Sequence, residues 1–161
     1  MDNQLLKLII IMCSAYAPLA LAEDIPKEGD FNATYYVSGI PLRTIDLGNG
    51  KSVGLRETVY VGTNDRGKGL FENTTAHCIF LVGTDDSSGY CVITDKDGDK
   101  FLEPVRWKTG STKGEGTLVW GTGKYQGIEG SLDWEIVTRL AATGPDTYHL
   151  IGKKRGHYKL P

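Results

Sequence analysis

Apolar and polar residues alternate along most of the chain after residue 23, and the alternation is clearest between residues 128 and 139. In an extended chain, Leu132, Trp134 and Ile136 fall on one face there, and Asp133 and Glu135 fall on the other. This pattern is typical of an antiparallel strand with one buried face and one solvated face. The 3.6-residue period of an amphipathic helix is almost absent from this part of the chain.

The same alternation predicts eight strands, and the segments between them are rich in glycine, asparagine and aspartate. The predicted strands are 31–39, 52–62, 75–83, 89–94, 100–108, 115–121, 128–139 and 146–158. Short consecutive strands without crossover helices predict an all-β fold, a single eight-stranded antiparallel up-and-down barrel that is lipocalin-like in shape. A β-sandwich is the alternative. We expect Leu118, Trp120, Leu132 and Trp134 to face the interior.

The first 22 residues have a different pattern. Lys7 precedes a largely apolar run from residue 8 to 21, and Ala20-Leu21-Ala22 offers small residues at a cleavage point. The run is shorter than the ~20 residues that a membrane-spanning helix needs. We interpret 1–22 as a cleavable signal peptide, with an uncleaved anchor as the alternative, and 23–161 as the β-barrel domain. The protein is therefore expected to be secreted or periplasmic, with no membrane-spanning segment after cleavage.

The formal charge of -2 at pH 7 gives no indication of a nucleic-acid partner, because nucleic-acid-binding domains are usually strongly basic. The last predicted strand is basic, which we interpret as a solvated strand end, with contact to an anionic lipid or ligand as the alternative. Its basic residues are Lys153, Lys154, Arg155, His157 and Lys159. Two glycosylation sequons, at Asn32 and Asn73, matter only if the exporting cell carries the machinery.

Signal cleavage would leave two cysteines, Cys78 and Cys91. Paired cysteines usually bridge in an oxidising compartment, and a chain reversal near residues 84–85 would place these two opposite each other on neighbouring strands. We therefore predict a structural disulfide. A redox-active pair is the alternative, although such pairs usually have Cys-x-x-Cys spacing.

Four glycines lie between Gly121 and Gly130, directly before the strand that alternates most clearly. Glycines in this position indicate tight turns or bulges. A phosphate-binding loop is excluded because Tyr125 follows Gly123-Lys124 where serine or threonine is required, and no helix follows. We predict no cofactor.

Six side chains in the predicted strands are candidates for lining an interior ligand site: Glu57, His77, Glu103, Trp120, Trp134 and His149. A histidine or carboxylate buried in a cavity could transfer protons. For His77, the alternative is a histidine that is simply hydrogen-bonded within the core.

The acidic turn Asp95, Asp97 and Asp99 resembles a calcium loop, but the glycine and glutamate of an EF-hand are absent from the required positions. We predict no metal site and treat these three aspartates as weak candidates. The alternative for them is a hairpin tip whose side chains cap the turn.

Three segments together resemble small secreted proteins of the allene oxide cyclase-like barrel group: Gly89-Tyr90-Cys91, residues 94–100 and residues 121–130. The resemblance covers roughly residues 73–135 and is carried by turns and glycines. It implies an eight-stranded antiparallel barrel. Plant members of the group cyclise an unsaturated epoxy fatty acid in an apolar cavity, and members often assemble as dimers or trimers, so the resemblance allows a homo-oligomer. It assigns no catalytic residue in this chain.

Three functions follow from these observations. The first is a barrel of uncharacterised role that binds a small apolar ligand in its interior. The second is an isomerase or cyclase, in which one or two polar groups act on a bound substrate. The third is a filled barrel that binds a protein or envelope partner through its loops. The sequence leaves open whether the chain is an enzyme, and the size of the interior cavity distinguishes the third function from the other two.

Overall fold

A computed structural model describes residues 25–161, so the predicted signal peptide, residues 1–22, lies outside the described residues. The described chain forms a closed barrel of eight antiparallel strands in sequential order, with β8 pairing β1. The strands are β1 Glu28–Gly48, β2 Lys51–Asn64, β3 Thr74–Val82, β4 Asp86–Thr94, β5 Lys100–Lys108, β6 Lys113–Gly121, β7 Glu129–Leu140 and β8 Tyr148–Lys159. The predicted fold class is confirmed. Within residues 25–161 there is no helix long and apolar enough to cross a membrane.

Cys78 and Cys91 face each other in the β3–β4 register and form a disulfide. Both cysteines are buried in the core. The predicted bridge is therefore confirmed, and its position between neighbouring strands follows from the chain reversal after Val82.

One end of the barrel is filled by aromatic and apolar side chains, and we call it the closed end. The β2–β3 loop folds Leu70 and Phe71 inward, where both are almost fully buried. The Phe71 ring centroid lies 5.0 Å from that of Phe31 and 5.4 Å from that of Phe101. Tyr125, in the 3-10 turn Gly123–Tyr125, packs its ring 4.9 Å from Phe101. Such close aromatic packing stabilises a core beyond the effect of burial alone.

At the opposite end, which we call the open end, β1 continues beyond the barrel. From Ile40 onward it pairs with β2 alone, because its pairing with β8 ends at Gly39. The β1 half of this extension was missed by the prediction, which ended the first strand at residue 39. Its alternation is weak, and Leu42, Ile45 and Leu47 are all exposed. Because β2 still pairs with β3 as far as Gly54, only the tip beyond that residue is two-stranded.

Candidate functional site

The interior of the open end contains a cavity of about 400 Å³. Its upper rim is formed by the β5–β6 turn and by the ends of β3, β7 and β8. The wall is mainly aromatic and aliphatic, with side chains from Tyr35, Val37, Phe80, Val82, Val105, Trp107, Trp134, Ile136, Tyr148 and Leu150. A concave, mostly apolar space with a few polar groups has the character of a small-molecule site.

Three aromatic rings of the wall each pack against a glycine on a neighbouring strand. Tyr35 is paired with Gly152, Tyr148 with Gly39, and Trp134 with Gly114. A Cβ atom at any of these glycines would collide with the opposing ring. Each ring therefore lies across the neighbouring backbone, and the centre of the barrel stays free.

Three polar side chains form the floor of the cavity. Lys154 Nζ donates to both oxygens of Glu103, at 2.6 Å to Oε1 and 2.5 Å to Oε2, and to Tyr60 Oη at 2.8 Å. Tyr60 in turn donates to Glu103 Oε2 at 3.2 Å. Only 5% of the Lys154 side chain is exposed, and none of the Glu103 side chain is. Removing two charges from water is costly, and this complete set of hydrogen bonds offsets the cost.

Three aromatic rings also lie close to the ammonium group. Lys154 Nζ lies 4.4 Å from the ring centroid of Tyr60 and 5.0 Å from those of Tyr35 and Phe71. Ring faces attract a cation most strongly where water is excluded. Phe71 belongs to the packing of the closed end, so the ion pair lies where the filled part of the barrel meets the cavity.

Burial changes the acidity of these groups. Desolvation lowers the pKa of Lys154, and the neighbouring Glu103 carboxylate partly opposes that change. The pKa of Tyr60 is raised well above its usual value, first by burial and then by Glu103. The pKa of Tyr35 is raised for the same two reasons. Both tyrosines are therefore neutral hydrogen-bond donors at physiological pH.

Two arginines lie at the mouth of the cavity. Arg56 places its guanidinium carbon 5.7 Å from the ring centroid of Tyr148, whose hydroxyl is 2.6 Å from Thr58 Oγ1. Arg139 reaches the mouth because a register shift between Ile136 and Thr138 brings it opposite Leu150. The mouth is thus basic, whereas the wall below it is apolar.

Of the six predicted site residues, Glu103 and Trp134 line this cavity. Glu57 and His77 point outward and contact each other, with Glu57 Oε1 2.5 Å from His77 Nε2. His149 also lies outside, 2.9 Å from Thr143 Oγ1. Glu57, His77 and His149 were candidates for lining the interior, but they lie on the outer face, because their positions alternate with the buried Thr58, Cys78 and Leu150.

Trp120 was also expected inside, and this is wrong because β6 contains a bulge. Phe101 pairs with Gly121 and Leu102 with Val119, so Trp120 is an extra residue with no partner in β5. Its φ of 50° turns the side chain outward, where 58% of it is exposed. Bulges re-aim a side chain in this way.

Sequence reasoning missed Lys154, Tyr60, Tyr35 and Trp107. Lys154 was assigned to a solvated basic strand end, although the two-residue alternation of β8 places it on the buried face. Leu150, Gly152, Lys154 and Tyr158 lie on one face, and all four are buried. A lysine between buried positions on a two-residue period indicates an internal charge that needs a partner.

The acidic turn lies outside the barrel at the closed end. Lys124 Nζ is 2.6 Å from Asp95 Oδ2 and 2.5 Å from Asp97 Oδ2, and the Lys124 amide donates to Asp99 Oδ2 at 3.2 Å. Within residues 25–161 there is no cluster of three or more histidine, cysteine, aspartate or glutamate residues placed to hold a metal ion. A lysine ammonium occupies the place where a cation would neutralise the turn.

A second concavity lies on the outer surface of β1–β4 and is lined by exposed side chains such as Tyr36, Val61, Ile79 and Tyr90. In contrast to the interior cavity, its lining within the described part of the chain includes no buried ion pair, and it is open to solvent. The interior cavity is therefore the better candidate for a site with chemical function.

No protein-family model matches the sequence, and no curated protein matches it. Solved structures do match. The pterocarpan synthase dirigent protein PsPTS1 has a TM-score of 0.56 at 12% identity, covering 85% of this chain and 97% of that one. The pterocarpan synthase dirigent protein GePTS1 has a TM-score of 0.52 at 11% identity, covering 84% and 88%. At such identities the likeness establishes a shared fold, which agrees with the barrel implied by the resemblance to the allene oxide cyclase-like group.

Proposed function

We propose that the chain binds a small molecule in the open end of the barrel, with apolar rings of the ligand against the aromatic wall and a polar group near the floor. The observation that supports this proposal best is the cavity of about 400 Å³, which lies within the size range of small-molecule sites. The two similar solved structures are pterocarpan synthase dirigent proteins, so a synthase function is associated with this fold in other proteins.

The polar groups of the site support a ligand that is apolar but not a plain hydrocarbon. Lys154, Glu103 and Tyr60 at the floor place charged and polar atoms beside an otherwise apolar wall. A ligand that also carries a polar atom would complement them, because polar groups enclosed in a site need partners. The basic mouth formed by Arg56 and Arg139 adds further donors.

A second candidate function is that of an isomerase or cyclase. The observation that favours it is the triad of Lys154, Glu103 and Tyr60, which places proton donors and an acceptor beside the bound ligand. A filled barrel acting through its loops is the weaker alternative, because the open end contains the cavity.

Binding can be tested with N-phenyl-1-naphthylamine, a neutral probe whose fluorescence rises in apolar surroundings. Trp107 and Trp134 lie in the wall with their ring centroids 5.7 Å apart, so the bound probe should quench their emission. Gly152→Ala should weaken binding about tenfold or more, because the new methyl group pushes the Tyr35 ring into the cavity.

Two variants control for binding elsewhere. Trp120→Phe removes the outward tryptophan and should leave both affinity and the quenched fraction of the remaining emission unchanged. Tyr90→Ser alters the outer concavity. If Tyr90→Ser abolishes probe binding while Gly152→Ala leaves it intact, the ligand site is on the outside and the proposal fails.

We further propose that the protein acts outside the cytoplasm, in a secreted or periplasmic setting. The support is the buried Cys78–Cys91 disulfide, since such bridges persist in oxidising compartments. Self-association remains a prediction. The row of exposed apolar side chains on β1–β4 would favour it, and sedimentation velocity of Ile79→Lys against the unchanged protein would test it.

A further inference from the structure

The buried ion pair at the cavity floor differs from an ordinary structural salt bridge in one respect: its lysine lines a space large enough for a ligand. The ammonium lies between a carboxylate, a phenol hydroxyl and three aromatic rings. A primary amine with an adjacent acid and an apolar ligand space is the set of groups that condenses with a carbonyl compound.

We propose that Lys154 is an imine-forming lysine, whose amine captures the carbonyl carbon of an apolar aldehyde or ketone bound in the cavity. The inference rests on the proposed function, because the carbonyl compound must first occupy the same cavity. It goes beyond that function by assigning a covalent step and a chemical class of ligand.

The step begins with proton transfer from the Lys154 ammonium to Glu103, whose oxygens lie 2.5 and 2.6 Å from the nitrogen. The freed lone pair attacks the carbonyl carbon, a C–N bond forms, and the carbonyl π electrons move to oxygen. Tyr60, 2.8 Å from Nζ, can relay a proton from nitrogen to that oxygen. The product of this stage is a neutral carbinolamine.

Glu103, now a carboxylic acid, protonates the hydroxyl group of the carbinolamine, which leaves as water while the nitrogen lone pair forms the C=N bond. One ammonium and one carbonyl compound are consumed, and one protonated imine and one water are formed. Glu103 returns to its carboxylate form, and no oxidant or reductant is needed.

The surroundings favour the protonated imine as the product. A buried carboxylate requires a cation beside it, and the protonated imine supplies the same positive charge as the ammonium it replaces. The ring faces of Tyr35, Tyr60 and Phe71 would stabilise that charge as they do the ammonium. Burial also lowers the pKa of Lys154, which makes the neutral, nucleophilic amine easier to reach.

The test uses 2-naphthaldehyde with sodium cyanoborohydride, which reduces a protonated imine to a stable secondary amine. Intact mass should show one reduced adduct forming ahead of all others, and peptide mapping should place it on Lys154. Lys154→Arg keeps a cation beside Glu103 but cannot form an imine, so the initial rate of adduct formation should fall about tenfold or more. Lys153→Arg, at the exposed neighbouring position, should leave the rate unchanged.

Glu103→Gln should also slow the reaction, because the amide cannot return a proton to the departing hydroxyl. If Lys154→Arg does not fold, the proposal is tested by two other results. The adduct in the unchanged protein should map to Lys154, and Glu103→Gln should slow its formation. An adduct on Lys153 that equals or exceeds that on Lys154 overturns the proposal.

A non-reactive analogue separates this proposal from the proposed function. Naphthalene-2-methanol has the same rings but no carbonyl group, and its binding is followed by quenching of Trp107 and Trp134. If the alcohol binds but the aldehyde is not trapped at Lys154, the cavity is a ligand site and the imine proposal is wrong. If neither compound binds, both proposals fail.

Discussion

The two ends of the barrel are built from the same eight alternating strands but use their inward faces differently. At the closed end, Phe31, Phe71 and Phe101 meet in the middle and exclude solvent. At the open end, Tyr35, Tyr148 and Trp134 pack against opposing glycines and leave the middle free. A barrel of this size can thus combine a stabilising core with a ligand space, provided that each takes one end.

The Lys154–Glu103 pair lies where these two regions meet. It contacts Phe71 from the closed end and Tyr35 from the open end. A buried charge pair contributes little net stability compared with well-packed apolar residues. Its place at the floor of a cavity agrees with the ligand site that we propose.

We expect the closed end to contribute more to the free energy of unfolding than the open end. Phe101→Ala should lower the free energy of unfolding by about 4 kcal/mol, because it removes a fully buried ring from close packing. Phe80→Ala at the open end should cost less than about 2 kcal/mol, since that ring is only partly buried. Urea unfolding of both variants checks the difference, and similar losses would contradict the division between the ends.

The next largest effect on the free energy of unfolding is expected for the Lys154–Glu103 ion pair. Glu103→Leu should destabilise the protein by about 3 kcal/mol, because it leaves Lys154 buried without a carboxylate. The double variant Glu103→Leu with Lys154→Met should recover most of that loss, because it removes both charges. A double variant as unstable as the single one would show that the pair is needed for folding, which would weaken the functional interpretation. Urea unfolding again provides the measurement.

Alkaline pH should affect both regions through their buried tyrosines. The pKa values of Tyr60, Tyr35, Tyr125 and Tyr158 are all raised, in each case first by burial. The unfolded chain releases these protons near pH 10, so the stabilisation from the neutral phenols is complete below pH 10 and is lost as the pH rises above it. Ultraviolet titration should show these four tyrosines ionising only when circular dichroism reports unfolding. Ionisation of all tyrosines in a folded barrel would contradict the burial of either region.

The smallest effect on stability is expected for His157, which lies on the outer surface and belongs to neither end of the barrel. Hydrogen bonds to Asp30, and then to Glu28, raise the pKa of His157. The resulting stabilisation is present below about pH 6.5 and is lost as the pH rises through the raised value. NMR titration should place the pKa of His157 above 6.5, and Asp30→Asn should lower it. Asp146→Asn, in the β7–β8 loop, is the control and should leave it unchanged.

Period-two alternation was sufficient to predict the fold and the number of strands, because both depend on local pattern and turn chemistry. The disulfide partners were predicted from the two cysteines that follow the predicted signal peptide and from the chain reversal between them. The alternation failed at Trp120, where one inserted residue reverses the face, and a bulge of this kind leaves no reliable mark in the alternation. It also missed the burial of Leu70 and Phe71 at the closed end. These residues lie in a loop, where no alternation indicates which side chains point inward.

The candidate site was predictable only in part. Glu103 and Trp134 were named from their strand positions, whereas Lys154 was judged by its charge and assigned to solvent. Which carboxylate meets Lys154 depends on the closure of the barrel, which brings β8 and β5 together across its interior over 51 positions of sequence. A pairing of this kind follows from the three-dimensional closure and not from any spacing along the chain.

Gly39, Gly114 and Gly152 suggest how the capacity of such a barrel could be adjusted during evolution. Each one acts as a recess for a ring, so a single added methyl group would displace that ring inward without changing any residue that a ligand touches. Ligand size could therefore change through positions behind the wall, while the wall, the charge pair and the strand register stay the same.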